Sequence, residues 1–343
     1  MNDTHSPANG NRIGHFVLLF SLFFLICLGL GYAILKRYDP RLPGHNPDSA
    51  YYYEIVTGEA QQTMFWRYRI LVPYTARPFY WLAKGRVETL DPVFLGLLAA
   101  SSLYVAGTAS ILVRIGRRVT GDYAIALLGA MVYLLNFAIT NFQLAGLIDS
   151  GEAFFLIAVV WCLLSNKWAL LPLCGVFGAL AKETFVPLSV MLALVWWIAA
   201  RRKEESRVAD LCWVAALGLT GVATMTMVQA LVAAQWVWPW HLEVSSDSPS
   251  NPLINLFNCL SSHEILYVFG WLLPLGAIRL DRLPRPWVLA SAVTVLMALV
   301  LGASVDAHGN VSRAMFDVAG PMLSLSVAIL IGRTPEPQEN AAA

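Results

Sequence analysis

The sequence predicts an all-α membrane protein whose chain crosses the bilayer about ten times. Of its 343 residues, 57% are hydrophobic and only 13% are charged, and the mean hydropathy is +0.60. These values lie outside the range of soluble globular domains. Twelve Trp and twelve Tyr recur near the ends of apolar runs, and such amphipathic rings favour the membrane interface.

Ten apolar runs are long enough, or nearly so, to cross a hydrocarbon core of about 30 Å. They are residues 13–35, 92–113, 123–140, 146–165, 168–182, 185–200, 211–235, 264–278, 287–305 and 314–332. Because several runs are short, the number of spans is open by one or two. The first run is too long for a signal-peptide core, which favours a retained anchor. No soluble domain interrupts the array, so residues 1–343 are expected to form a single transmembrane domain.

The distribution of basic residues predicts the orientation. With the N-terminus inside, the cytoplasmic segments carry Arg12, Arg114, Arg117, Arg118, Lys167, Arg201, Arg202, Lys203, Arg207, Arg279, Arg282, Arg285 and Arg333. This excess agrees with the positive-inside rule. Both termini are therefore expected in the cytoplasm. The compactness of the chain favours a bacterial inner membrane. The external loops are expected at 36–91, 141–149, 236–263 and 306–313.

The first external loop departs from this rule. It contains Lys36, Arg37, Arg41, Arg67, Arg69, Arg77, Lys84 and Arg86. Arginines concentrated on the outside suggest contact with an anionic group, although snorkelling to lipid head groups is the alternative. Pro73 and Pro78 lie in the stretch WRYRILVPYTARPFYW, and they predict short interfacial helices that break at the prolines.

Two acidic positions lie near predicted external turns. Asp48, in NPDSAYYY, either caps a helix that begins near Ser49 or takes part in chemistry. Asp149 and Glu152 are three residues apart at the start of a span, a spacing that puts both carboxylates on one side of a helix. Since a buried carboxylate is costly, such a pair either faces a wet cavity or a cation, or is solvated at the helix end.

Two further motifs carry charge on the same predicted side. In ALAKETFVP, Lys182 and Glu183 interrupt a long uncharged run, and an ammonium at membrane level suits the phosphate of a lipid. In VDAHGNVSRAMFD, His308 and Arg313 lie at the last external turn. Arg313 and Asp317 are four residues apart, which predicts a helical ion pair.

No pattern in the sequence indicates a metal site or a nucleotide site. The histidines of the external loops lack the spacing of zinc ligands, and the five cysteines form neither a disulfide framework nor a metal cluster. A divalent metal is therefore unassigned. The chain also lacks a glycine-rich loop of the kind that binds nucleotide phosphates, and nothing indicates binding to nucleic acid.

Together these motifs resemble the GT-C superfamily, whose members are multispanning glycosyltransferases that use polyprenyl-phosphate sugars on the external or lumenal side. The resemblance covers roughly residues 13–200. It implies that Asp48 is the catalytic base and that Asp149, with Glu152 as a companion, is a second acid of the site. It also implies basic residues that contact the donor phosphate and an acceptor that is a lipid-linked molecule or a glycan. This chain departs from the family by lacking a large C-terminal soluble domain and a second acid beside Asp48.

The candidate substrate-binding residues are Arg67, Arg69, Arg77, Glu152, Lys182, Glu183, His308 and Arg313. A polysaccharide polymerase, a flippase or a transporter of lipid-linked saccharides is the alternative function, and a purely structural membrane partner is a third. A secondary transporter is expected to place ionisable residues near the midplane of the membrane. Here those residues lie at one face, which favours an enzyme.

Overall fold

A computed structural model describes residues 9–35, 47–59, 68–144, 146–201, 208–233, 236, 251–304 and 311–332. This part of the chain is helical and contains no β-strand. The α-helices are α1 Asn9–Tyr32, α2 Pro47–Thr57, α3 Leu71–Ala83, α4 Pro92–Thr120, α5 Tyr123–Leu134, α6 Asp149–Leu164, α7 Leu171–Ala181, α8 Phe185–Arg201, α9 Val208–Ala233, α10 Pro252–Leu260, α11 His263–Phe269, α12 Leu272–Ala277, α13 Arg285–Ser304 and α14 Val311–Gly332.

Five of these helices are long and apolar enough to cross a membrane: Ile13–Tyr32, Pro92–Thr120, Val208–Val232, Arg285–Ala303 and Val311–Gly332. Other predicted runs form shorter apolar helices, among them α5 and α8. The run at 264–278 is divided between α11 and α12. The prediction of a helical membrane protein is thus supported, while about ten complete spans are not established.

The longest helix, α4, lies at the centre of the packing, with α1, α3, α5 and α6 against it. Asp91 caps its N-terminus by accepting a hydrogen bond from the Val93 amide at 2.9 Å. Gly121 ends it with a left-handed φ of 72°, a conformation that glycine adopts without a steric penalty. At Gly116 a Cβ atom would lie 2.8 Å from Ala126 Cβ, so only glycine permits this close approach of α4 and α5.

The described residues of the segment 36–91, predicted to be the first external loop, differ from their prediction. Helix α3 runs without a break from Leu71 to Ala83 and contains both prolines, so the predicted breaks are wrong. Pro73 lies in the first turn, where a missing N–H costs little. Pro78 removes one interior hydrogen bond, which the helix tolerates. Helix α2 begins at Pro47, which places Asp48 inside its first turn.

Short turns bring one end of several helices together. Helices α7 and α8 are joined by residues 182–184 alone, so the end of α7 lies beside the start of α8. Helix α6 packs against both of them and also against α14. Five helix ends therefore lie in one region: the starts of α2, α6, α8 and α14 and the end of α7. Most of the predicted site residues lie there.

Candidate functional site

A cluster of charged side chains forms where these helix ends meet, and we call it the acid–base cluster. Its members are Asp48 on α2, Asp149 and Glu152 on α6, Lys182 in the turn between α7 and α8, and Arg313 and Asp317 on α14. Residues that are far apart in sequence thus meet through ion pairs. The structure brings together acids and bases that the sequence singled out in four separate segments.

Lys182 is the central cation of the cluster. Its Nζ lies 2.7 Å from Asp149 Oδ1 and 3.1 Å from Glu152 Oε2, and its side chain is only 6% exposed. The Thr184 hydroxyl donates to Glu152 Oε1 at 2.6 Å. Burial favours the neutral amine, but the charges of Asp149 and Glu152 outweigh burial and raise the pKa of Lys182. The ammonium therefore stays charged at neutral pH.

Local backbone structure explains why these three groups meet. Asp149 and Glu152 lie in the first turn of α6, where the positive end of the helix dipole favours carboxylates. Lys182 follows the last residue of α7 in an extended conformation, and the negative end of that dipole favours a cation. The predicted i, i+3 spacing does place both carboxylates on one side of α6, where both contact the same ammonium.

Arg313 lies between two acids of the cluster, Asp48 and Asp149. Its Nη1 lies 3.9 Å from Asp48 Oδ2 and 3.7 Å from Asp149 Oδ2, distances that exceed a hydrogen bond. The guanidinium lies 5.0 Å from the centre of the Phe142 ring, and its Nε has no hydrogen-bond partner among the described residues. Arg313 thus lies beside Asp48, which the family resemblance implies as the base, and its guanidinium can donate further hydrogen bonds.

Asp317 does not form the expected helical pair with Arg313. Its Oδ1 instead accepts a hydrogen bond from Gln143 Nε2 at 2.7 Å, and the Tyr133 hydroxyl donates to the Gln143 carbonyl at 3.0 Å. The predicted pair is wrong because Arg313 lies toward the two acids at the helix ends. Sequence reasoning missed Gln143 and Tyr133; the available signal was an aspartate inside the apolar run of the last span.

A second buried ion pair adjoins the cluster. Arg69 Nε donates to Glu183 Oε2 at 2.8 Å and a second guanidinium nitrogen contacts Glu183 Oε1, so the pairing is bidentate. Arg69 Nη1 also donates to the Tyr52 hydroxyl at 3.0 Å. Burial opposes the charged form of Glu183, but the charge and hydrogen bonds of Arg69 outweigh burial and lower the pKa of this carboxyl. Arg69 therefore joins the first loop to the α7–α8 turn.

The side chain of Arg77, in the stretch WRYRILVPYTARPFYW, lies between α2 and α3. Arg77 donates to the Ile55 carbonyl at 2.9 Å, and its guanidinium lies 4.2 Å from the centre of the Tyr74 ring. These contacts join α3 to α2. Arg67 and His308 lie outside the residues that the structure describes, so their places in the site stay predictions.

Three buried carboxylates in the cluster lie close to one another. One oxygen from each of Asp149, Glu152 and Asp317 lies within 4.8 Å of the others, a spacing that could suit a cation. The Lys182 ammonium, however, already contacts two of these groups. A metal ion would have to displace a buried counter-charge, so we assign no metal to this site.

Comparison with known proteins adds no relative. No protein-family model matches the chain, and no match was found among curated proteins or among solved structures. The resemblance to the GT-C superfamily accordingly depends on the motifs quoted above.

Proposed function

We propose that this chain is a membrane glycosyltransferase of the GT-C type, which moves a sugar from a polyprenyl-phosphate donor to a lipid-linked or glycan acceptor on the external side of the membrane. The observation that carries the proposal is the meeting of Asp48 and Arg313 at the edge of the acid–base cluster, 3.9 Å apart. Sugar transfer from a lipid phosphate needs, in one site, a base for the acceptor hydroxyl and a cation for the phosphate that leaves.

Asp48 is the acid best suited to be the base. Its side chain is 23% exposed, whereas that of Asp149 is 3% exposed and contacts both Lys182 and Arg313. A general base must come within hydrogen-bond reach of the acceptor hydroxyl. Asp149 is better placed to orient the two cations than to receive a proton from a substrate.

Arg313 is the cation best suited to the donor phosphate. Its contacts with carboxylates are longer than hydrogen bonds, and a planar guanidinium can bind two phosphate oxygens at once. The Arg69 guanidinium already gives hydrogen bonds to Glu183 and Tyr52. Among the predicted phosphate-binding residues that the structure describes, Arg313 is therefore the best candidate. Lys182 holds Asp149, which in turn orients Arg313.

In the proposed reaction the acceptor oxygen forms a bond to the anomeric carbon of the sugar while the bond from that carbon to the phosphate oxygen breaks. Asp48 takes the proton of the acceptor hydroxyl. The polyprenyl phosphate leaves with the bonding electron pair, and Arg313 stabilises its negative charge. Stabilising charge that develops on a leaving group is a large contribution to catalysis.

The test uses purified protein in lipid nanodiscs with a panel of polyprenyl-phosphate sugars. Arg313→Lys and Arg313→Met should both weaken donor binding, because lysine keeps the charge but loses the fork. Arg118→Lys is the matched control, since Arg118 is exposed in the last turn of α4 and is not part of the cluster. This variant should bind donor as the wild type does. Donor affinity that is unchanged in both Arg313 variants would remove Arg313 from the site.

A transporter of lipid-linked saccharides is the second candidate, and the burial of Lys182, Asp149 and Glu152 favours it. Buried ionisable residues inside a membrane bundle often mark a transport pathway. Proteoliposomes separate the two functions. Movement of a lipid-linked saccharide across the bilayer with no change in its glycosidic bonds would support transport, while formation of a new bond supports the enzyme.

A further inference from the structure

Among the described residues, the buried part of the acid–base cluster contains more acidic than basic side chains. Its buried acidic residues are Asp149, Glu152 and Asp317, and the basic residues beside them are Lys182 and Arg313. The neighbouring Arg69–Glu183 pair balances its own charges and leaves this excess unchanged. Because an uncompensated charge in a buried site is costly, either a proton or a further cation must lower the negative charge of the cluster.

The cations of the cluster serve two of its three buried acids. Asp149 has Lys182 at 2.7 Å and Arg313 at 3.7 Å, and Glu152 has Lys182 at 3.1 Å. For Asp317, the structure records a hydrogen bond from the neutral Gln143 amide and no ion pair among the described residues. Asp317 is therefore the buried acid with the weakest stabilisation of its charged form.

One carboxylate oxygen of the cluster lacks a polar partner. Asp317 Oδ2 is buried and has no hydrogen-bond partner among the described residues, whereas Glu152 Oε2 lies 3.1 Å from the Lys182 ammonium. An oxygen from each side chain lies within 4.8 Å of the other. Two ionised carboxylates at this separation repel each other, whereas a protonated, neutral carboxyl does not repel a carboxylate.

We propose that Asp317 is protonated at neutral pH and that its neutral carboxyl is a positioning residue, which faces Glu152 without repelling it and so keeps Lys182 between Glu152 and Asp149. If Asp317 loses this proton, a third carboxylate competes for the Lys182 ammonium. Lys182 would then be drawn away from Asp149, and Asp149 would orient Arg313 less well. Above the pH at which Asp317 loses its proton, the contacts of Lys182 and Arg313 in the cluster should therefore weaken.

The groups around Asp317 are consistent with this assignment. Helix α6 contributes the acids Asp149 and Glu152, and α5 contributes Tyr133, which reaches Asp317 through Gln143. Lys182 approaches from the α7–α8 turn, and Arg313 precedes Asp317 by one turn of α14. Helix α11 contributes Glu264, which accepts a hydrogen bond from Ser312 at 2.7 Å, and His263 at its first position. Among the charged groups named here, the acids Asp149, Glu152 and Glu264 outnumber the cations Lys182 and Arg313.

Infrared difference spectroscopy of the purified protein tests the protonation without any assay of function. The wild type at pH 7 should show the carbonyl band of a protonated carboxylic acid, and the band should disappear at alkaline pH. Asp317→Asn should remove the band. Asp122→Asn is the matched control, because Asp122 is an exposed helix cap, and it should leave the band unchanged. If the wild type shows no such band at pH 7, the proposal is wrong even where the Asn variant fails to fold.

A second measurement separates a proton from a metal ion. The thermal unfolding temperature of the wild type should be unaffected by EDTA and by added Mg²⁺, Mn²⁺ or Ca²⁺. Asparagine mimics a neutral carboxyl, so Asp317→Asn should keep most of the stability at pH 7 and should lose less stability than the wild type at alkaline pH. If a divalent ion raises the unfolding temperature of the wild type but not of Asp317→Asn, a bound cation offsets the excess negative charge and the proposed proton is wrong.

The consequence for activity rests on the proposed function. Asp317→Asn should transfer sugar at pH 7 within about threefold of the wild type and should retain transfer at an alkaline pH where the wild type loses it. Equal alkaline loss in both proteins would contradict the positioning role. If no protein transfers sugar, the proposed function fails, while the infrared result still decides the protonation of Asp317.

Discussion

Arg69→Met should be among the most destabilising substitutions in the segment 36–91. The Arg69 side chain is 8% exposed and its Glu183 partner is 16% exposed, so the pair is largely removed from water. Removing the arginine deletes the bidentate contact and the hydrogen bond to Tyr52, and it leaves the Glu183 carboxylate buried without this counter-charge. Breaking a buried pair in this way typically costs about 3–5 kcal/mol.

The assay is SDS-induced unfolding in mixed micelles, followed by circular dichroism. Arg86→Met is the matched control, because Arg86 is exposed and its side chain donates a 3.3 Å hydrogen bond to the Leu82 carbonyl. This variant should change the free energy of unfolding by about 0.5 kcal/mol or less. The double variant Arg69→Met/Glu183→Gln should lose less stability than the two single variants together, since the isolated charge is gone.

An Arg69→Met variant with the stability of the Arg86→Met control would refute this reasoning. The pair would then be a weak contact at the loop surface, and Arg69 would again be available to bind a phosphate. If the prediction holds, Arg69 is a structural link between the first loop and the α7–α8 turn. Variants of Arg69 that fold should in that case bind donor with unchanged affinity.

Three other predictions concern the same framework. Arg69 lowers the pKa of Glu183 below its value in the unfolded chain. The stabilisation by this pair is therefore present at neutral pH and should fade below about pH 4.3. In Arg69→Met, the free energy of unfolding should depend less on pH in this acidic range. Gly121→Ala should cost about 1 kcal/mol in the unfolding assay, because φ is 72° there, whereas Gly14→Ala, with no atom within 4 Å of the added Cβ, should not destabilise. A cysteine at position 48 or 247 should react with an impermeant reagent from the outside; reaction only after permeabilisation would reverse the orientation.

The sequence predicted the helices and the participants of the site more fully than it predicted their contacts. Apolar runs locate helices because the membrane requires internally satisfied backbone groups. Charged residues inside such runs are rare and costly, which explains why Lys182, Asp149 and Glu152 were visible as candidates. The contacts among these residues depend on how helix ends that are far apart in sequence pack together. Local periodicity carries no information about this packing.

The errors also have physical reasons. The spacing of Arg313 and Asp317 allowed a helical pair, but such a pair is worth only about 0.2–0.5 kcal/mol, and tertiary contacts with Asp48, Asp149 and Gln143 replaced it. The partner of Arg69 could not be predicted, since Glu183 lies 114 residues away. Pro78 was expected to break its helix, yet α3 packs against α4, and this packing outweighs the loss of one hydrogen bond.

Sugar transfer by purified Asp48→Asn is the measurement that tests the central claim most directly. In nanodiscs with a polyprenyl-phosphate sugar that the wild type uses, the variant should bind the donor with unchanged affinity and should fold with wild-type stability. Its rate of transfer should fall by about 100-fold to 10,000-fold, because asparagine cannot accept the proton of the acceptor hydroxyl. Transfer at the wild-type rate would show that Asp48 is not the base and would contradict the account of this site.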